Sequence, residues 1–198
     1  MNLRVVTHPE AEPVSTLLAM QHCKCEELYG RSPVDPEQTY VEALITAARQ
    51  HAELFTGRAL ALATYELRLD DFADFMPLRG PVREIESIQY VDVDGELQEL
   101  GVDVYVLDDD PDAPGVRLAY GESWPTVRSE KNAVRIRFVA GYTDESPADP
   151  LPKPIVLAIL LMVCHLYENR QDVTDRQQYE MPRGSETYLR PFRTSVGL

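Results

Sequence analysis

Five stretches of the sequence carry residue types that could do chemistry, and each lacks a component that the chemistry requires. Gly121-Glu122-Ser123-Trp124-Pro125 begins like a nucleophile elbow, in which a serine is held on a sharp strand-to-helix turn between glycines. Pro125 replaces the second glycine, and no helical pattern follows to carry Ser123. His22-Cys23-Lys24-Cys25 offers soft metal ligands. A closed zinc site takes four ligands, however, and no second Cys or His pair lies at a suitable spacing, so Cys23 and Cys25 read as helix-surface or half-buried thiols. Asp108, Asp109, Asp110 and Asp112 resemble a calcium loop in charge only. Counted from Asp108, the position that must supply a bidentate glutamate is Ala119, which leaves a solvated acidic turn. Asp92-Val93-Asp94-Gly95 is likewise read as a turn, and His165 as a hydrogen-bonded boundary residue. Neither a GxGxxG nor a Walker glycine loop is present. Asp70, Asp71 and Asp74 remain as scattered acids from which a soluble enzyme could assemble an acidic site, but no nucleophile converges on them. The expectation is a binding or structural protein with no catalytic residues, no cofactor and no metal.

Those side chains must be positioned by a fold of limited size. The chain has 198 residues, 44% hydrophobic and 26% charged, a composition able to bury a sizeable core in one domain with an elaboration, or in two small ones. Its net charge of −14 is uneven: residues 61–150 carry 20 acidic and 8 basic side chains, whereas residues 151–198 carry 5 and 6. Such a surface argues against affinity-driven nucleic-acid binding, which relies on clustered Lys and Arg, although DNA could pass such a protein without sticking. The start, MNLRVVTHPEAEP, lacks the apolar run of a signal peptide, and no stretch is long enough to span a bilayer; a cytoplasmic product is expected. Three cysteines cannot all pair. Cys164, inside an apolar run, is expected to pack as a reduced thiol, and no disulfide framework is implied.

The strongest element signal is Ile155–Arg170, IVLAILLMVCHLYENR, introduced by prolines at 147, 150, 152 and 154. Its ten leading apolar residues leave no polar face, which predicts a helix wrapped by protein on every side. Upstream, Ser15 is a candidate cap for a first helix running to about Leu28, with Leu17, Leu18 and Leu28 as candidate core positions. Asp35, Pro36 and Gln38 have the pattern of a capping box opening a second helix, in which Val41, Leu44, Ile45, Ala48, Ala52 and Phe55 share a face and Gly57 is the stop. Arg49, Glu53 and Arg58 lie on or just after it, and Glu53 can pair with Arg49 at four-residue spacing or with a neighbouring copy. From residue 60 the periodicity becomes that of strands. Candidates are 61–69, 84–92, 96–100 after the Asp94-Gly95 hairpin turn, 104–107, 116–119 and 134–140. Helices, then strands, then a helix predict an α+β protein. Its small helical core (two N-terminal helices, about 15–57, and a buried C-terminal helix, 152–170) receives a β-rich insertion, about 60–141, and is followed by a C-terminal tail, 171–198, within a single domain.

Several separated segments together resemble one family. They are Ala47–Leu60 (AARQHAELFTGRAL), Ile85–Gly95 (IESIQYVDVDG), Tyr105–Leu107, Ser123-Trp124-Pro125, Val134–Tyr142 (VRIRFVAGY), Pro152–Arg170 and Tyr188–Arg193 (YLRPFR). In order and spacing they are similar to the head–tail connector, or adaptor, proteins of tailed bacteriophages and phage-derived gene transfer agents. The resemblance covers most of residues 40–193 and leaves out the first 30. It implies a structural virion protein, assembled in the host cytoplasm, that forms a homo-oligomeric ring of about twelve copies at the head–tail interface. In this role the ring joins the portal protein to a tail or stopper protein and extends the DNA channel, without sequence-specific DNA contact and without a membrane. A tail-completion or stopper protein of the same assembly is the alternative. The tail Tyr188, Leu189, Arg190, Pro191, Phe192 and Arg193 is the expected portal or subunit interface, since aromatic and Arg residues dominate interface energetics; the alternative is a short helix packed on its own domain. Trp124 is a second interface candidate, against packing into its own core.

Overall fold

The computed structural model describes residues 2–24, 36–143, 150–170 and 183–194. Among these residues four helices and two antiparallel sheets make an α+β fold, and the chain divides into a β unit (1–11, 57–142 and 194–198) and a helical unit (12–56 and 143–193).

In the β unit the strands are β1 (Asn2–Thr7), β2 (Ala63–Leu69), β3 (Phe75–Pro77), β4 (Val82–Val91), β5 (Leu97–Glu99), β6 (Tyr105–Asp108), β7 (Gly115–Leu118) and β8 (Val134–Ala140). One sheet has the order β1-β2-β8-β4-β5 and the other β3-β7-β6. The strand alternation read from the sequence is realised most cleanly in β8, where Val134, Ile136, Phe138 and Ala140 are buried and Arg135, Arg137 and Val139 face away. Tyr65 and Phe138, paired across β2 and β8, stack with centroids 5.7 Å apart. Around them pack Leu67, Ile136, Ile88, Met76, Leu78 and Val116, each worth about 1.5–3 kcal/mol in removing its side chain from water. Gly141 ends β8 at φ +128°, where a Cβ would run into the backbone of Ala61.

Strands β1 and β3 were not expected. Among the described residues β1 is an edge strand paired with β2, and its side chains are almost all exposed, so the hydrophobic alternation that identifies half-buried strands is faint there. β3 is three residues long and ends in a proline, too short to show a period.

The helical unit contains α1 (Thr16–His22), α2 (Pro36–Thr56), α3 (Lys153–Glu168) and α4 (Arg183–Leu189), followed by a 3-10 turn, Arg190–Phe192. Ser15 caps α1 as expected, its hydroxyl accepting from the Leu18 N–H at 3.2 Å. Leu17 and Leu18 are not core residues, however; they are exposed, and Ala19 and Val14 fill the interior instead. The helix turns that face inward because α1 packs along α2 and α3 through its small-residue side. Leu28 and Asp35 lie outside the described residues, and the Gln38 amide donates along the helix to Glu42. On α2 the expected face is real: Val41, Ile45, Ala48 and Ala52 are all buried, and Gly57 closes it at φ +73°.

Two expectations about α3 need correction. Ile155, Ala158, Ile159, Leu160, Met162 and Val163 are buried, but Val156, Leu157 and Leu161 are only half-buried. Helices α1, α2 and α4 cover part of its circumference and leave an apolar seam. Cys164 is not a free thiol: it is joined to Cys23 in a disulfide across 141 residues of sequence, with Cα atoms 5.2 Å apart. Packing the end of α1 on α3 brings together two cysteines whose spacing in the sequence gave no hint of pairing. At the far end of α3, Arg170 lies over the rings of Tyr40 (4.8 Å) and Tyr167 (4.9 Å) and donates to Glu37. Hydrogen bonds from Tyr167 and Arg170 hold the Glu37 carboxyl below the usual carboxylate range.

Candidate assembly surfaces

The C-terminal segment combines core and surface roles. Leu189 and Ser185 are buried within the helical unit, because α4 packs on α3 and to a lesser extent on α2. Leu189 is therefore a core residue and is unavailable to a partner. Tyr188, Arg190, Pro191 and Arg193 remain exposed and Phe192 half-buried, with the Arg193 guanidinium 5.9 Å from the centre of the Phe55 ring. The helix anchors the segment while its polar and aromatic side presents outward.

Trp124 belongs to its own unit. Its ring stacks on Phe72 with centroids 4.7 Å apart and planes 1° from parallel, and Phe72 in turn meets Tyr90 edge-on at 5.8 Å. The indole is partly buried against the β core, and its N–H has no hydrogen-bond partner among the described residues. Ser123 beside it lies in an exposed extended loop with no helix after it. The acidic turn after β6 is tied down by protein groups: Arg58 donates to the Pro111 carbonyl and the Asp112 carboxylate, each at 2.7 Å, and Arg117 pairs with Asp108. Asp92 organises the β4–β5 hairpin, accepting from the Glu96 and Asp94 N–H groups and from Gln98; these bonds, the one from Glu96 foremost, hold its carboxyl below the usual range. Asp70 and Asp71 rim a shallow depression with Arg128, Glu130 and Lys131. Asp70 accepts from the Asn132 N–H and Asp71 from that of Phe72. Among the described residues no three metal-ligating side chains converge. No helix there is long and apolar enough to cross a membrane.

The expected Arg49–Glu53 pair forms, at 2.8 Å, but it is not a surface pair. Both side chains are buried, and Arg49 also bridges to Glu12 at 2.7 Å. Breaking such a buried group by removing one partner costs about 3–5 kcal/mol, an order of magnitude above an exposed helix pair.

A charged surface that the sequence reading missed lies on the sheet face opposite the β core. The register aligns Arg4 with Glu66, Glu66 with Arg137, and Arg68 with Arg135, and directly opposed antiparallel residues share a face. Glu66 is buried beneath three guanidiniums: Arg4 and Arg68 at 2.7 Å and Arg137 at 3.3 Å. Burial raises its pKa, but the Arg68 hydrogen bond and the charges of Arg4 and Arg68 outweigh that and keep it ionised below the usual range. The fourth arginine, Arg135, has its Nε buried with no hydrogen-bond partner among the described residues. β4 sets the uncharged Ser87 and Gln89 opposite Arg137 and Arg135 and Glu84 opposite Val139. The pattern was legible as Arg135 and Arg137 alternating with apolar residues, but the arrival of Arg4 and Arg68 depends on the strand order.

No protein-family model matches the chain, and no curated protein does. Solved structures do match. The chain is similar to one from the virion of a native gene transfer agent particle, at 24% identity over 100% of this chain and 98% of that one, with a TM-score of 0.77. It is similar in the same proportions to a chain from the neck of an empty gene transfer agent particle computed with C6 symmetry (TM-score 0.78). A third, from the neck of a native particle computed with C12 symmetry, aligns at a TM-score of 0.73, again at 24% identity and the same coverage. The likeness is one of fold, and it runs the whole length of the chain.

Proposed function

We propose that this protein is a structural component of the neck of a gene transfer agent or phage particle, a ring-forming connector between the portal of the DNA-filled head and the tail. The observation that carries this reading is the end-to-end fold match to chains from particle necks. Two of those necks were computed with C6 and C12 symmetry, which supports a ring of about twelve copies. The ring is a cyclic heterologous assembly in which one face of each copy meets a different face of the next, and its acidic wall lets DNA slide through without being trapped.

The exposed residues Tyr188, Arg190, Pro191 and Arg193, with Phe192 beside them, dock onto the portal or a neighbouring subunit, anchored by the buried Leu189. Catalysis has no part in this role.

Cryo-electron microscopy of particles carrying an epitope on this chain tests the reading. The expected result is rotationally repeated density directly under the portal. Density along the tail, or none at the vertex where head and tail meet, overturns it. Binding of the purified chain to portal instead of tail separates a connector from a stopper.

A further inference from the structure

Copies of a chain carrying a net charge of −14 repel one another, so a ring of them needs contacts where unlike charges meet. One sheet face gathers four arginines on three neighbouring strands, β1, β2 and β8. Arg4, Arg68, Arg135 and Arg137 lie around a single buried carboxylate. Glu84, opposite Val139, Glu86, which accepts weakly from Thr64, and Glu99, opposite Gln89 on edge strand β5, lie at its margins. Among the described residues nothing satisfies the Arg135 Nε. The surface is not purely ionic: Leu62, just before β2 and about two-fifths exposed, borders it.

The tip of the β4–β5 hairpin has the complementary composition. Asp94 and Glu96 are exposed there, while Asp92 is spent internally on the turn. Val93 and Leu97, exposed by 63% and 52%, flank them. Arg128 reaches Gly95 on one side and offsets part of this charge without cancelling it. A polyphosphate has no apolar group with which to cover Leu62, whereas a hairpin with Val93 and Leu97 beside its carboxylates does.

We infer that the arginine face of the β unit receives the acidic, apolar-flanked β4–β5 hairpin tip of the adjacent copy. This contact rests on the ring reading and deepens it by naming the two surfaces. It is heterologous, as ring closure requires, and it leaves the Tyr188–Arg193 segment free for the portal.

Charge reversal in both partners tests it. Arg135→Glu puts a carboxylate opposite Arg68, a pairing that preserves the fold, and Arg135→Gln serves as a milder second variant; thermal melts check both. Association is measured by native mass spectrometry on the isolated chain and on necks from particle-producing cells. Arg135→Glu, and separately Asp94→Arg with Glu96→Arg, should each weaken subunit association about tenfold or more per contact, with Arg135→Gln intermediate. Combining the reversals in one chain should restore most of the loss. Rings unaffected by either reversal overturn the contact while leaving the ring intact as a reading. The same holds if combination gives no rescue, or if the arginine change lowers DNA retention with rings unchanged. A wild-type chain that forms no ring even in necks removes the ring reading, and this contact with it.

Discussion

Replacing Glu66 with glutamine keeps the shape of the side chain and removes the charge that three guanidiniums share. Arg4 and Arg68 stand 2.7 Å from its carboxylate and Arg137 3.3 Å. A hydrogen bond to a charged group contributes about 1.5–3 kcal/mol net. The three cannot be summed, because the arginine side chains are 49%, 25% and 44% exposed and recover solvation when released, and because the glutamine oxygen still accepts one bond. The expected loss is therefore about 2–3 kcal/mol at neutral pH, which for a chain of this size lowers Tm by roughly 4–12 °C. The acid limb provides the sharper check. Glu66 has a folded pKa below its unfolded one, so its contribution is complete above the unfolded pKa and disappears as pH falls through the folded value. Urea denaturation of the wild type and Glu66→Gln at neutral pH and again at about pH 3 should give two curves that differ at the first and converge toward the second. Stabilities within about 0.5 kcal/mol at neutral pH, or a gap that does not narrow in acid, would refute the account of Glu66 as the carboxylate holding this face together.

Two further outcomes follow from the helical unit. Reducing the Cys23–Cys164 bond, or substituting Cys23→Ser, should lower stability by about 2–5 kcal/mol given the long loop it closes, seen as a lower melting temperature in reductant; a melt insensitive to reductant would mean that the bond constrains nothing. In the C-terminal segment, Leu189→Ala should cost about 2–5 kcal/mol in folding, as for other fully buried leucines. Arg190→Glu, at an exposed position, should leave the melt unchanged and weaken capture of the chain by purified portal. Equal effects of the two on both readouts would undo the division into anchor and docking surface.

The parts of the fold that were legible are those in which a local pattern and its tertiary environment agree. The alternation of β8 survives as a buried row and an arginine row, the Ser15 cap forms, and Val41, Ile45, Ala48 and Ala52 line one face of α2. The misreadings come from places where the neighbours decide. Leu17 and Leu18 had the right composition for a core, but α1 is short, and its Ala19 side is the one that faces the unit. The apolar run of α3 looked fully enclosed, yet hydrophobicity alone does not say how many elements will be present to cover it. The assembly surfaces divide in the same way. The composition of the Tyr188–Arg193 segment stood out in one dimension, whereas its burial of Leu189 did not.

Taken alone, the amino-acid order determined the succession of helices and strands, the α+β class, the heavy acidic charge of residues 61–150 and the absence of a recognisable catalytic motif. These are properties of neighbouring residues, because backbone periodicity and local charge are set within a few positions of the chain. The tertiary structure alone decided that Cys23 meets Cys164, that Trp124 stacks on Phe72, and that arginines from positions 4, 68, 135 and 137 gather on one sheet face around Glu66. Each of these joins residues far apart in the sequence, and only the choice of strand order and helix packing brings them within the few ångströms over which hydrogen bonds and ion pairs act.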